Sequence, residues 1–188
     1  MWQSSLLALT LVLSSTLALR AEEKLNPQYA SWAKFKPGTR IAQISSSTTN
    51  GVRTDTKITW ELLKVADTKL TLQGSQEVTF NGKALPNLPP TKFEVKKMVE
   101  SNPKSGPIPI NEVTEGVDRT VTDEGKQDVT IDGKSYSCQV ELVTTKFSGG
   151  ITTYRSWKSE EIPGGLFKAE TKSNGSDLVL ETLKIEIK

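Results

Sequence analysis

The stretch Trp157-Lys158-Ser159-Glu160-Glu161-Ile162-Pro163-Gly164-Gly165 gathers two carboxylates, an ammonium and an indole beside a turn. Paired carboxylates are the working parts of glycoside hydrolysis, which needs both groups facing one pocket at a set separation. Glu160 and Glu161 are adjacent, and adjacent side chains of an extended chain point to opposite faces. Asp123, Glu124 and Asp128 offer oxygen donors for a hard cation such as calcium, but they lack the ordered ligand spacing of a calcium loop. They read as a solvated turn, and no metal site is assigned.

The chain has no histidine and one cysteine, Cys138. Ser-His-Asp and Cys-His nucleophile systems, histidine-containing zinc sites and thiolate cages are therefore excluded. Cys138 shares a strand face with Tyr136, Val140 and Leu142, which marks a small buried hydrophobe. Activating its thiol takes a neighbouring cation or a helix N-terminus, and the sequence places neither beside it. Gly149-Gly150 and Gly164-Gly165 sit in hairpins, whereas a phosphate cradle lies between a strand and a helix. No catalytic residue and no cofactor are assigned, and the chain is expected not to be an enzyme.

The elements that position these residues are mostly strands. Only 35% of the 188 residues are apolar, and threonine and serine are abundant, which suits solvated β-strands. Asn50-Gly51, Asn81-Gly82, Asp132-Gly133 and Asn174-Gly175 are dipeptides whose positive φ matches tight hairpin turns. Asn174-Gly175-Ser176 also matches a glycosylation sequon. Between the turns, strands are expected over about 39–48, 52–65, 69–80, 91–100, 111–122, 126–131, 134–147, 151–159, 166–173 and 177–187. Val52, Thr54, Thr56, Ile58, Trp60 and Leu62 fall on one face, opposite Arg53, Asp55, Lys57, Thr59 and Glu61. One buried and one wet face is the pattern of an antiparallel sheet, and the slip at Leu62-Leu63 predicts a bulge.

Residues 26–36 form the one expected helix, with Asn26 as cap, Pro27 at the first position and Pro37-Gly38 as stop. Tyr29, Trp32 and Phe35 line one side of it, placed to lie as a lid on a sheet. The segments 84–90 and 101–109 hold six of the nine prolines, so they cannot be central strands and read as crossing loops. The fold class is all-β, mainly antiparallel: a curled meander sheet, half-barrel or sandwich with one short N-terminal helix. It is expected to form a single domain over 22–188, with a first meander over 39–100, a proline-rich crossing over 101–110 and a second meander over 111–187.

Residues 1–21 read as a signal peptide, because Leu6 to Leu19 is apolar but too short to span a membrane. Cleavage near Ala21 would remove only Arg20 from 24 basic and 22 acidic residues, leaving the remainder nearly neutral. No cysteine follows the apolar segment directly, so no lipid anchor is expected, and no second apolar stretch of membrane length is present, so no membrane span is expected. Nothing resembles the basic patch of a nucleic-acid binder.

The phrases Ser31 to Thr39, Asp128 to Glu141 and Trp157 to Gly165 together resemble small exported β-rich bacterial proteins of unknown function, planctomycete-type. That likeness implies an aromatic helix, a Tyr-x-Cys strand and a Trp-x-Ser-x-Glu-x-Pro-Gly-Gly corner, and it supplies no catalytic residue. The order of helix then meander is also similar in architecture to periplasmic lipoprotein carriers of the LolA and LolB type. Three functions stay open. One is a non-enzymatic binding or envelope-associated module holding an amphipathic ligand on a concave sheet, periplasmic or secreted. The second is an interaction component using exposed strand edges, and the third a carboxylate-dependent hydrolase. For the first, Trp32, Phe35, Trp60 and Trp157 are the candidate ligand-facing or lid residues.

Overall fold

The computed structural model of the chain describes residues 23–100 and 117–188. The expected signal peptide and the proline-rich crossing over 101–110 lie outside the described residues. In chain order the elements are β1 (Glu23–Leu25), α1 (Pro27–Ala33), β2 (Arg40–Thr49), β3 (Val52–Val65), β4 (Lys69–Phe80), β5 (Lys83–Ala84), β6 (Thr91–Lys96) and β7 (Met98–Glu100). After the undescribed segment come β8 (Asp118–Ile131), β9 (Lys134–Phe147), β10 (Gly150–Lys158), β11 (Leu166–Ser173) and β12 (Ser176–Glu186).

The main sheet has ten strands in the order β5-β4-β3-β2-β12-β11-β10-β9-β8, with β6 also paired to β4, and every pairing is antiparallel. It is curled and does not close into a barrel. The pairing of β2 with β12 joins the two meanders edge to edge. A separate ribbon pairs β1 with β7.

The turns follow from backbone chemistry. Asn50, Asn81 and Asp132 take positive φ together with the glycine after each, as type I′ hairpins require. Asn174 departs from this pattern: only Gly175 has positive φ there. The Asn174 side-chain amide instead donates to the Gly149 carbonyl at 3.0 Å, tying its hairpin to the neighbouring one.

Four expectations need correction. The helix stops at Ala33 rather than residue 36, because the Lys34 and Phe35 amides both bond back to the Trp32 carbonyl and close the last turn tightly. The strand expected over 91–100 breaks at Lys97, whose amide bonds to Thr68 and whose carbonyl accepts from Asn26. The strands expected before and after residues 123–125 are one strand, β8. Asp123 and Glu124 are not in a turn; they sit at a bulge where Gly125 takes φ 82°. The segment 84–90 does not cross between meanders. It leaves β5 and returns as β6, both on the same edge of β4, arching past the stretch of that edge between them.

The core lies at one end of the sheet, under α1. Ile41, Leu62, Leu70 and Leu72 are almost fully buried there with Tyr29 and Trp32. Each such aliphatic side chain contributes roughly 1.5–3 kcal/mol from burial. α1 packs on β4 and β6, and the Tyr29 hydroxyl donates to the Ala66 carbonyl at 2.9 Å. The slip at Leu62-Leu63 is observed as a register shift between Leu62 and Lys64. On the far side of the sheet, the lower end of β8 lies against β12, four places away in the order. The sheet therefore coils back on itself there, burying Ile131, Tyr136 and Cys138 in the same core cluster.

Candidate functional site

Register fixes which side chains share a face, because directly paired residues point the same way. Trp60 pairs with Ile41 and Gly74, and Leu72 with Phe93, which puts Ile58, Trp60, Val78, Phe80 and Phe93 on one face. Through β2 and β12 the same face continues to Leu180, Leu178, Ala169 and Thr171. Across the adjoining strands β6, β4, β3, β2, β12 and β11 this face carries no charged residue. It consists of apolar, aromatic, hydroxyl and amide side chains.

The opposite face of those strands holds the ions. Arg40 pairs with Glu61 at 2.9 Å, Arg53 with Asp55 at 3.0 Å and Lys69 with Glu94 at 2.6 Å. Lys168 pairs with Glu170 at 2.9 Å and Lys184 with Glu186 at 2.8 Å. The Ser46 hydroxyl donates to Asp55 at 2.6 Å and, with Arg53, holds that carboxyl below its ordinary value. Exposed pairs like these add little stability each. Their effect is to confine charge to one side of the sheet.

Among the described residues the uncharged face is covered at its lower end by α1, and Val52, Phe80 and Leu178 further along it stay exposed. Val52, Phe80, Phe93 and Leu178 are large apolar residues on it that remain exposed, with Phe80 at 46% and Phe93 at 45%. Large apolar residues are exposed elsewhere as well, Ile151 and Leu183 among them, so what sets this face apart is that its exposed apolar side chains have no charged neighbour on the same side of these strands.

Within it lies a cleft of about 150 Å³ lined by Ile58, Trp60, Gly74, Gln76, Leu88 and Phe93, among others. The floor is an aromatic platform on a glycine. A Cβ at position 74 would come within 2.8 Å of the Trp60 ring, so the indole lies directly over the bare Gly74 backbone. Phe93 meets Trp60 edge-on, with ring centroids 5.6 Å apart at 61°. The roof is Leu88-Pro89 from the arch after β5. The arch is pinned where the Leu85 amide donates to the Val78 carbonyl at 2.9 Å, and its prolines have no amide to seek the β4 ladder.

The other candidate residues fall elsewhere. Trp32 is only 3% exposed and packs against Gly164, so its surface is used inside the chain. Phe35 packs partly buried against the core. Trp157 lies on the side of the ion pairs. Its indole N–H donates to Gln127 at 3.0 Å, and Lys168 sits 5.3 Å from its ring. Of the four, Trp60 alone lines the cleft. Gly74, Leu88, Pro89 and Phe93 were not singled out from sequence. The available signal was the alternation placing Ile58 and Trp60 together, with a leucine- and proline-rich segment nearby in the chain.

The corner from Trp157 to Gly165 is structural. Ile162 and Pro163 are buried, and the Gly164 amide donates to the Ser31 carbonyl at 3.4 Å, which docks the corner on α1. Glu160 and Glu161 are exposed, and Glu160 pairs with Lys34 at 3.8 Å. Glu124 pairs with Arg155 at 2.9 Å, and Asp123 accepts from Gly125 and Gln139. No group of three metal-ligating side chains is present among the described residues. Cys138 is buried, and that burial, with Glu161 and Asp128 nearby, pushes its thiol above its ordinary value. Among the described residues no helix is long and apolar enough to cross a membrane.

No protein-family model matches the chain, and no curated protein matches it. Three solved structures are similar over most of its length. A Bacteroides fragilis protein with a YmcC-like fold shares 9% identity, with 82% of this chain and 98% of that one covered and a TM-score of 0.44. The Mycobacterium tuberculosis lipoprotein LppX shares 11% identity over 79% of this chain and 86% of its own, with a TM-score of 0.38. A Vibrio parahaemolyticus domain named for outer-membrane lipoprotein sorting shares 13%, covering 86% of this chain and 89% of that one, with a TM-score of 0.27. At TM-scores this low, no property of these proteins is carried over to this chain.

Proposed function

We propose that this chain is a non-enzymatic, exported module of the cell envelope that holds an amphipathic ligand on the uncharged face of its sheet. One observation carries the reading: six adjoining strands put their ions on one face and leave the other uncharged, with large apolar residues exposed on it among the described residues. A sheet stable only as a solvated scaffold gains nothing from exposed Phe80, Phe93 and Leu178 on the same side. A sheet that receives apolar surface does, at roughly 25 cal/mol for each Å² covered. The threonines and serines of that face, such as Thr54, Thr56 and Ser47, can hydrogen-bond the polar part of such a ligand without an ionic partner.

Export, to the periplasm or beyond the cell, rests on the apolar segment before Ala21, which reads as a cleavable signal. Native mass spectrometry of the protein purified from its own host, combined with titration by a fluorescent lipid probe, tests the reading. A co-purifying small-molecule mass or saturable probe uptake is expected. A bare mass with no uptake overturns it.

A further inference from the structure

The geometry points to the cleft between the Trp60–Gly74–Phe93 platform and the Leu88-Pro89 arch as the anchoring subsite for a single hydrocarbon chain of an electrically neutral lipid. This inference rests on the functional reading above and names the ligand class for that face.

Three features converge on that class. First, the cleft is narrow and apolar: about 150 Å³ is the scale at which an apolar cavity takes one six-carbon ring, so there is room for a chain segment and not for a headgroup. Second, its shape depends on an absence. Gly74 lets the indole lie flat on the sheet, and any side chain there would lift the ring into the space beneath Leu88-Pro89. Third, charge complementarity selects the ligand. The cleft lining contains Gln76, Thr91 and Ser75 as its polar groups and no ion. The face continues uncharged across β2 and β12. An ionised headgroup lying along it would lose water without gaining a counter-charge, whereas hydroxyl and ester groups would meet serine and threonine hydroxyls. Leu88, 57% exposed at the roof, has apolar surface to bury when a chain enters.

Tryptophan quenching by dibrominated stearoyl monoglyceride, with dibrominated free stearate as the charged counterpart, tests this on the full exported chain. The monoglyceride is expected to quench saturably and the stearate to bind at least about tenfold more weakly, a difference of ~1.4 kcal/mol. Trp60→Phe is expected to remove most of the quenching. Leu88→Asp, at an exposed loop position that leaves folding intact, is expected to weaken monoglyceride binding about tenfold or more. Stearate binding as tightly as the monoglyceride overturns the neutral-ligand assignment. Undiminished quenching in Trp60→Phe, or undiminished affinity in Leu88→Asp, overturns the subsite while leaving ligand holding on the face intact. Failure of both probes to bind, with a bare native mass, overturns the subsite and the functional reading together.

Discussion

Single residues carry two consequences that can be measured directly. Ser156 of β10 is wholly buried, and among the described residues its hydroxyl has no hydrogen-bond partner. A buried unsatisfied hydroxyl costs about 1–3 kcal/mol, and replacing it by hydrogen, which leaves a methyl side chain, removes that cost with little loss of volume. Ser156→Ala is therefore expected to raise Tm by about 2–4 °C for each ~1 kcal/mol recovered, read by thermal unfolding. Cys138 tests the opposite kind of burial. Its folded-state thiol is raised above its ordinary value, chiefly by burial, then by Glu161 and Asp128. The neutral thiol is the form the fold favours, so its contribution is fully present below the unfolded value and is lost as pH rises through the folded one. Ellman's reagent at pH 8 is expected to leave the native thiol unlabelled and to label it promptly in denaturant. Stability should fall as pH climbs past about 9, and Cys138→Ala should flatten that fall. The sequence alone placed Cys138 correctly among apolar neighbours, because period-two alternation is readable over a strand as regular as β9. It did not reveal Gly74 as a platform, because that role exists only where β3 and β4 bring Trp60 across from it.

At the scale of elements, the turns and strand faces were legible because each depends on few residues. Asn-Gly and Asp-Gly dictate the hairpins, and Asn26 with Pro27 dictates the start of α1, where the Asn26 side chain accepts from the Gln28 amide at 2.9 Å. What was not legible depends on partners distant in sequence. Residues 123–125 look like a turn, since acids and a glycine normally mark one. Pairing with β9 keeps the chain extended there and turns the glycine into a bulge. The bulge also has a protective effect. β8 is the last strand of the sheet, and its bulge with the charged Asp123 and Glu124 blunts pairing with another chain. Gly125→Ala separates conformational from steric cost. No atom lies within 4 Å of a Cβ placed there, yet φ is 82°. The substitution is expected to cost about 1–2 kcal/mol in denaturant unfolding, from backbone strain alone. Gly74→Ala, at ordinary φ, is expected to shift the Trp60 emission through contact with the ring at 2.8 Å.

For the whole molecule, the distribution of charge matters more than its amount. The net charge of +2 from 24 basic and 22 acidic residues says nothing about binding, and it gave no partner from composition. Folding sorts those charges by face, and the sorting follows from the period-two pattern once register aligns β6, β4, β3, β2, β12 and β11. A pair of matched substitutions isolates this property. Thr56→Lys puts an ammonium on the uncharged face, while Thr59→Lys puts the same group on the ionic face of the same strand. Both threonines are half-buried in β3, so the local cost in strand propensity and lost packing is similar. Thr59→Lys enters a field already holding Glu61, Lys57 and Arg40, and it should leave uptake of a neutral lipid probe unchanged. Thr56→Lys places an ion on a face where the adjoining strands offer no counter-charge, so it must reach to solvent across that face or remain desolvated. Either outcome obstructs the surface a ligand would cover. Uptake is expected to fall about tenfold or more in Thr56→Lys only, measured by probe titration beside circular dichroism spectra that match. Equal uptake by the two variants would show that segregated charge serves the fold and not the ligand.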